Sequence, residues 1–303
     1  MQKVMIMGSG AVGGYYGAHL ASTEGVDVSF VARGRHLEAI RKNGLKITGN
    51  KELHVKSVRT LEHPEELGHP PDLIIVAVKS FDTPDAINMI RPVVRSGTMI
   101  LTLQNGLENY DLLAAEFGKE RVIRGFCQIG VEVTEPGVID YRGMSRVVFG
   151  EESGASSNRV MQLQKMFELA GVPARVSDNI RKDSWLKFIW NGIFNMITGI
   201  SGVTTDRIFE DDDTLATARE LFFEMKALAG ASGVSITDED VSKIIDDTRK
   251  LGAFRTSTYQ DRLKGKPLEY DTFCGYVVRK ADEYELEVPV NRTLYSLYKL
   301  RER

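Results

Sequence analysis

Cysteine is nearly absent from this 303-residue chain. Cys127 and Cys274 stand far apart, too few for a disulfide framework or a four-thiolate metal site. Long apolar runs are missing as well. The longest, such as Leu73 to Val78, are strand-sized and far short of a membrane span. After Lys3 only four apolar residues precede a glycine, so no secretory signal is expected. Neither sign of charge predominates: 39 Lys and Arg against 42 Asp and Glu leave a net charge of -3. That balance offers no electrostatic case for nucleic acid or an anionic membrane as partner. Internal repeats and low-complexity tracts are lacking too. The expectation is a soluble, cytoplasmic protein long enough for about two domains.

What is present begins at the N-terminus. A short apolar run, Lys3 to Met7, leads directly into Gly8-Ser9-Gly10-Ala11-Val12-Gly13. Residues 11–23 follow with Val12, Tyr15, Tyr16, His19 and Leu20 at helical spacing. Strand, glycine-rich turn and helix in that order form the context of a dinucleotide-binding fingerprint. Gly8 permits the tight turn, Gly10 lets backbone N–H groups approach a pyrophosphate, and Gly13 lets helix and strand pack closely. Ser9, Ala11 and Val12 fill the remaining positions of the turn and the first helical residues. The helix N-terminus adds donors and the positive end of its dipole.

One further absence selects the dinucleotide. NAD-preferring sites usually end the second strand with Asp or Glu for the ribose 2′-hydroxyl. Here that strand, 26–31, runs into Ala32-Arg33-Gly34-Arg35-His36 without a carboxylate. A guanidinium at Arg33 suits a 2′-phosphate and offers little to a bare hydroxyl. NADP, as NADPH, is therefore the expected cofactor, the alternative being a solvated arginine pair in a loop.

Up to about residue 178 short β-rich runs alternate with helical stretches. Strands are expected at 3–7, 26–31, 73–78, 98–103, 121–127 and 173–177, with helices near 11–23, 35–42, 82–91, 108–117 and 158–170. The alternation argues a mostly parallel sheet covered on both faces. Residues 137–149 are expected to form an added hairpin turning at Arg142-Gly143. From residue 179 only helical periodicities appear, near 180–198, 213–232, 237–250, 270–286 and 290–301. The reading is an α/β fold: a Rossmann-like dinucleotide-binding domain over 1–178, then an all-helical domain over 179–303.

In a doubly wound sheet the ligand lies beyond the carboxyl ends of the strands. Lys79 follows the third parallel strand, in reach of phosphate, ribose or substrate, and Asn105 follows the fourth, where its amide can stand beside the nicotinamide ribose; a surface lysine and a turn asparagine are the plainer alternatives. The first helix of the second domain is apolar nearly throughout, yet Lys187, Asn191 and Asn195 recur every four residues. Such a step overshoots a full α-helical turn by about 40°, so the three share a narrow stripe. That stripe either faces solvent or lines a wet cleft, since buried polar groups need partners. A second polar set, Ser257 with Gln260-Asp261 and then Glu269, lies further on.

Together these segments resemble the ketopantoate reductase (2-dehydropantoate 2-reductase) family along essentially the whole chain. The resemblance rests on Gly8 to Gly13, Val78-Lys79, Asn105-Gly106, Lys187-Phe-Ile-Trp-Asn191-Gly-Ile-Phe-Asn195, Ser257 with Gln260-Asp261, and Glu269-Tyr-Asp271. It implies NADPH-dependent reduction of 2-dehydropantoate to (R)-pantoate, on the route to pantothenate and coenzyme A. It also implies Lys187 as catalytic acid, Asn191, Asn195 and Ser257 as substrate ligands, Glu269 beside cofactor or substrate, and Lys79 and Asn105 on NADPH. A lysine at its ordinary pKa of about 10.4 carries the proton this role needs at neutral pH. A small 2-keto acid is then the partner, and a homodimer is compatible with the reading. Two alternatives stay open: a reductase of another small branched 2-keto acid, and a non-catalytic NADP-binding redox sensor. Lys187 separates the sensor from the enzymes, because a sensor has no use for an acid at the nicotinamide.

Overall fold

The first apolar run is a strand, β1 (Gln2–Met7), and its side chains explain why it has no polar face. Val4 and Ile6 enter one hydrophobic core while Met5 and Met7 enter another on the opposite side of the sheet. A strand buried on both faces is the mark of a parallel sheet with helices on each side. The computed structural model describes residues 2–302, in two units.

The first unit runs to Asn105 and resumes over Asn109–Ile180. After β1 come α1 (Ala11–Ala21), β2 (Val26–Val31), α2 (Gly34–Asn43), β3 (Leu45–Gly49), β4 (Leu53–Val55), β5 (Arg59–Leu61) and β6 (Leu73–Val76). They are followed by α3 (Thr83–Ile90), β7 (Met99–Thr102), α4 (Glu108–Phe117), β8 (Val122–Glu135), β9 (Val138–Gly150), α5 (Asn158–Leu169) and β10 (Ala174–Val176). The strands join one sheet in the order β4-β3-β9-β8-β7-β6-β1-β2-β5, with β10 on β9. From β5 to β8 every pairing is parallel. The chain builds away from β1 on one side through β2, then returns to place β6 on its other side, so strand order reverses at β1 and β6. That reversal is where doubly wound sheets bind ligands.

The hairpin differs from expectation. Its turn is Pro136-Gly137, with Gly137 at φ +79°, and residues 138–150 form one long strand, β9, paired antiparallel with β8. Arg142-Gly143 lies within β9, where Gly143 faces Gly130 and β9 carries an unpaired extra residue on either side, Met144 and Arg142. Gly143 serves a bulge, the other common use of glycine in a strand. The short strands β3, β4 and β5 were outside the sequence reading, being three to five residues long.

The second unit comprises Gly106–Glu108 and the chain from Arg181 onward. It is helical: α6 (Ile180–Trp190), α7 (Met196–Ser201), α8 (Asp212–Ala231), α9 (Asp238–Leu251), α10 (Ser257–Leu263), α11 (Tyr276–Glu283) and α12 (Pro289–Arg301). Trp185, Phe188, Ile189, Ile193 and Phe194 pack with Leu221, Phe222, Met225 and Phe273 in a single core. The expected continuous helix over 180–198 is interrupted: Asn191–Asn195 form a π turn between α6 and α7. A second π turn, Asp271–Gly275, opens α11. Among the described residues no helix is long and apolar enough to cross a membrane.

Candidate active site

On the first unit, the glycine-rich turn joins β1 to α1, and its three glycines meet different constraints. Gly8 has φ +98°, and a Cβ there would lie 2.6 Å from Val78 Cγ1. At Gly13 a Cβ would lie 2.1 Å from the Gly8 carbonyl oxygen and 2.9 Å from Ile6 Cγ2. These two glycines are demanded by the fold itself. Gly10 is not: a Cβ there would meet no atom within 4 Å. The space that Gly10 keeps clear lies at the N-cap of α1, which has no side-chain cap and no acidic residue in its first turn. A dinucleotide pyrophosphate fits that arrangement, since helix N–H groups and the dipole both favour an anion there. Ala11 and Val12 start the helix. Ser9 contributes backbone only, because its buried hydroxyl donates to Val31 O at 2.9 Å.

His36, to which the sequence assigns no role, holds this turn from outside. Its Nε2 lies 2.7 Å from Ser9 O, and its Nδ1 accepts from Gly137 N at 3.1 Å. A carbonyl can only accept, so both bonds together require the neutral ring with the proton on Nε2. Burial lowers the His36 pKa, against the opposing bond to Ser9 O.

Arg33, Lys79 and Asn105 follow β2, β6 and β7, so the structure gathers them with the glycine-rich turn on one edge of four adjacent parallel strands. Arg33 is exposed and pairs with Asp82 at 3.2 Å. Beneath Lys79 and Asn105 runs a polar network that sequence patterning did not reveal. Gln104 Nε2 donates to Val78 O at 3.1 Å and to Thr83 Oγ1 at 2.7 Å. The Thr83 hydroxyl donates to Asn109 Oδ1 at 2.7 Å, and Asn109 Nδ2 donates to Asn105 O at 2.6 Å and to Ser80 Oγ at 3.0 Å. Thr83, Gln104 and Asn109 are buried. Such a chain of satisfied groups fixes the loops after β6 and β7 against each other.

On the second unit, α6 and its π turn carry Lys187, Asn191 and Asn195. A π turn uses more residues per turn than an α-helix. The step from Lys187 to Asn191 overshoots a full turn, whereas the step through the π turn falls short, and the two deviations oppose each other. The interruption therefore keeps all three polar groups on one line where a plain helix would let them drift. Within the turn Gly192 leaves room for Met225, whose Cε would lie 2.5 Å from a Cβ there. Lys187 Nζ sits 4.8 Å from the centroid of the Trp190 ring, a cation–π contact. Trp190 is anchored by Nε1 donating to the buried Thr248 Oγ1 at 2.8 Å.

Asn195 and Ser257 are brought together: Asn195 Nδ2 donates to Ser257 Oγ at 3.2 Å. Asn195 Oδ1 is buried and has no partner among the described residues. Ser257 is exposed and begins α10, whose N-cap Thr256 accepts from Tyr259 N at 3.2 Å. The Thr256 hydroxyl lies 2.7 Å from Thr198 Oγ1, which donates to Phe194 O at 2.7 Å. Arg262, five residues past Ser257, donates to Gly199 O at 2.9 Å at the end of α7. Ser257 is thus held to the Asn195 helix from both sides. Gly199 leaves room for this packing, with Tyr298 Oη only 2.3 Å from where its Cβ would stand. Glu269 is buried just ahead of the second π turn.

A doubly wound nucleotide-binding unit followed by a helical unit carrying a lysine–asparagine line defines a two-unit nicotinamide-dependent oxidoreductase. The family model for ketopantoate reductase (PanE/ApbA) matches residues 4–154, and its C-terminal counterpart matches residues 179–302. The chain belongs to the ketopantoate reductase family. It is 34% identical over 300 residues to the 2-dehydropantoate 2-reductase of Pyrococcus horikoshii, covering 99% of this chain and 97% of that one. The crystal structure of 2-dehydropantoate 2-reductase from Geobacter metallireducens is similar with a TM-score of 0.92 at 34% identity, covering 99% of each chain. A ternary structure of D-mandelate dehydrogenase with NADH and anilino(oxo)acetate shares the fold, with a TM-score of 0.90 at 22% identity over 99% of this chain and 98% of that one.

Proposed function

We propose that this protein reduces 2-dehydropantoate to (R)-pantoate with NADPH, in the cytoplasm. The observation that carries the reading is the buried Asn195 on the Lys187 line, bonded to Ser257 through Nδ2 and left with an unsatisfied Oδ1. An orphaned buried amide oxygen is costly unless something arrives to donate to it. A hydroxyl-bearing small substrate does so, and 2-dehydropantoate carries one.

The turn from Gly8 through Ser9, Gly10, Ala11 and Val12 to Gly13 holds the pyrophosphate by its backbone, and Arg33 takes the 2′-phosphate. Lys79 and Asn105, fixed from below by Gln104 and Asn109, serve the nicotinamide half. When bound, NADPH supplies the hydride that reduces the keto carbon. Lys187 places its ammonium at the carbonyl oxygen, stabilises the negative charge that develops there and donates the proton that completes the alcohol. Trp190 limits where that ammonium can swing. Asn191, Asn195 and Ser257 hold the carboxylate and hydroxyl of the substrate, and Glu269 orients the lysine. A site that bonds a substrate hydroxyl rejects analogues lacking it, which distinguishes this reading from a general 2-keto acid reductase. Oxidation of NADPH, followed by absorbance on adding 2-dehydropantoate, tests the proposal; no oxidation above the rate without keto acid would reject it.

A further inference from the structure

The Arg33–Asp82 pair crosses the edge where a dinucleotide's adenosine half binds in this fold. Arg33 lies just past β2 and Asp82 closes the short turn Ser80–Asp82 past β6. Between β2 and β6 lies β1, whose end is the glycine-rich turn. A carboxylate from one neighbouring strand therefore meets a guanidinium from the other, 3.2 Å apart.

We propose that Asp82 sets the balance between NADPH and NADH, by competing with the 2′-phosphate for Arg33 and by offering the bare 2′-hydroxyl of NADH an acceptor. The inference rests on the assignment of Arg33 to the 2′-phosphate. Three observations support it. Asp82 occupies the N-cap of α3, where an aspartate normally accepts from the helix N–H groups, yet it makes no capping bond. Its carboxylate is turned to Arg33 instead. The pair uses one guanidinium nitrogen, Nη2, and the Arg33 side chain is 82% exposed, so the fork remains accessible to a second anion. Finally, the second strand lacks the acidic residue that usually bonds the ribose 2′-hydroxyl. Asp82 brings a carboxylate to the same edge from another strand.

An exposed ion pair is weak, and a phosphate receives paired, charge-assisted bonds from an arginine. NADPH is consequently still bound, but with the Asp82 charge close to its 2′-phosphate. NADH meets no such repulsion and gains an acceptor.

The test is steady-state kinetics with each cofactor at saturating keto acid and fixed ionic strength, on the native protein, Asp82→Asn and Arg33→Ala. Calorimetric binding of 2′,5′-ADP and of 5′-AMP provides a reading independent of turnover. Asp82→Asn is expected to raise the NADPH-to-NADH ratio of specificity constants about five- to tenfold, through KM, and to tighten 2′,5′-ADP about two- to fivefold. An unchanged or lower ratio, with Arg33→Ala still penalising NADPH selectively, overturns the proposal and makes Asp82 a residue that orients Arg33. Equal losses with both cofactors in Arg33→Ala overturn the 2′-phosphate assignment itself. Asp82→Ala and melting temperatures for every variant separate these outcomes from misfolding.

Discussion

Asn195 gives its amide N–H to Ser257 Oγ at 3.2 Å and keeps a buried Oδ1 with no partner among the described residues. The two residues are 62 positions apart and come from different helices. On the proposed reading, the substrate hydroxyl is the donor that this acceptor, eight residues past Lys187, receives.

That donor can be identified by comparing substrates. The native enzyme is expected to favour 2-dehydropantoate over 2-ketoisovalerate, which lacks the hydroxymethyl group, by at least about tenfold to a hundredfold in kcat/KM. Asn195→Ala should narrow the gap by weakening the hydroxylated substrate most. Equal reduction of the two acids by the native enzyme would assign the site to 2-keto acids in general.

Lys187→Ala is expected to lower kcat by about 10²–10⁴, the usual contribution of a positioned general acid. NADPH binding, measured by calorimetry, should change little. Near-normal turnover in this variant would return the lysine to a role in folding or solvation.

The glycines of the fingerprint turn should separate binding from stability. Gly10→Ala introduces a methyl group into open space, so the melting temperature should hold while NADPH binding weakens at least about tenfold as the backbone loses its approach to the pyrophosphate. Gly13→Ala drives a methyl group into the Gly8 carbonyl and should cost about 1–3 kcal/mol of stability. If Gly10→Ala binds NADPH normally, the pyrophosphate does not lie where the turn suggests.

His36 makes the glycine-rich turn sensitive to acid. Burial holds its pKa below the unfolded value of about 6.5, so the unfolded chain takes up the proton first as pH falls. The stability contributed by the neutral ring is therefore complete above pH of about 6.5 and is lost below it. His19, lowered by burial and by Lys51, adds to the same slope. Thermal melting between pH 7.5 and 5 should show the decline, and His36→Gln, which retains a donor for Ser9 O without titrating, should make it shallower. An identical pH slope in that variant would remove His36 from the linkage.

Much of this protein is written in local pattern. The fingerprint turn, the lack of a carboxylate after β2, the alternation of strand and helix, and the lysine–asparagine spacing are all short-range signals, because backbone sterics and side-chain periodicity act over a few residues. The resemblance to ketopantoate reductases rests on those same segments. The tertiary structure decided what depends on distant partners. Strands of three residues such as β4 and β5 gain their stability from neighbours across the sheet, so their own sequences carry little signal. Arg142-Gly143 satisfies the chemistry of a turn equally well as a bulge, and only the pairing of β9 with β8 chooses between them. The π turn that carries Asn191 and Asn195 packs its Gly192 toward Met225, 33 residues away in the chain, a neighbour that helical periodicity does not reveal. Likewise Asp82, His36, Gln104 and Asn109 look ordinary in sequence. They acquire their roles because the sheet brings the ends of β2, β1, β6 and β7 to one edge, where hydrogen bonds and ion pairs act through space rather than along the chain.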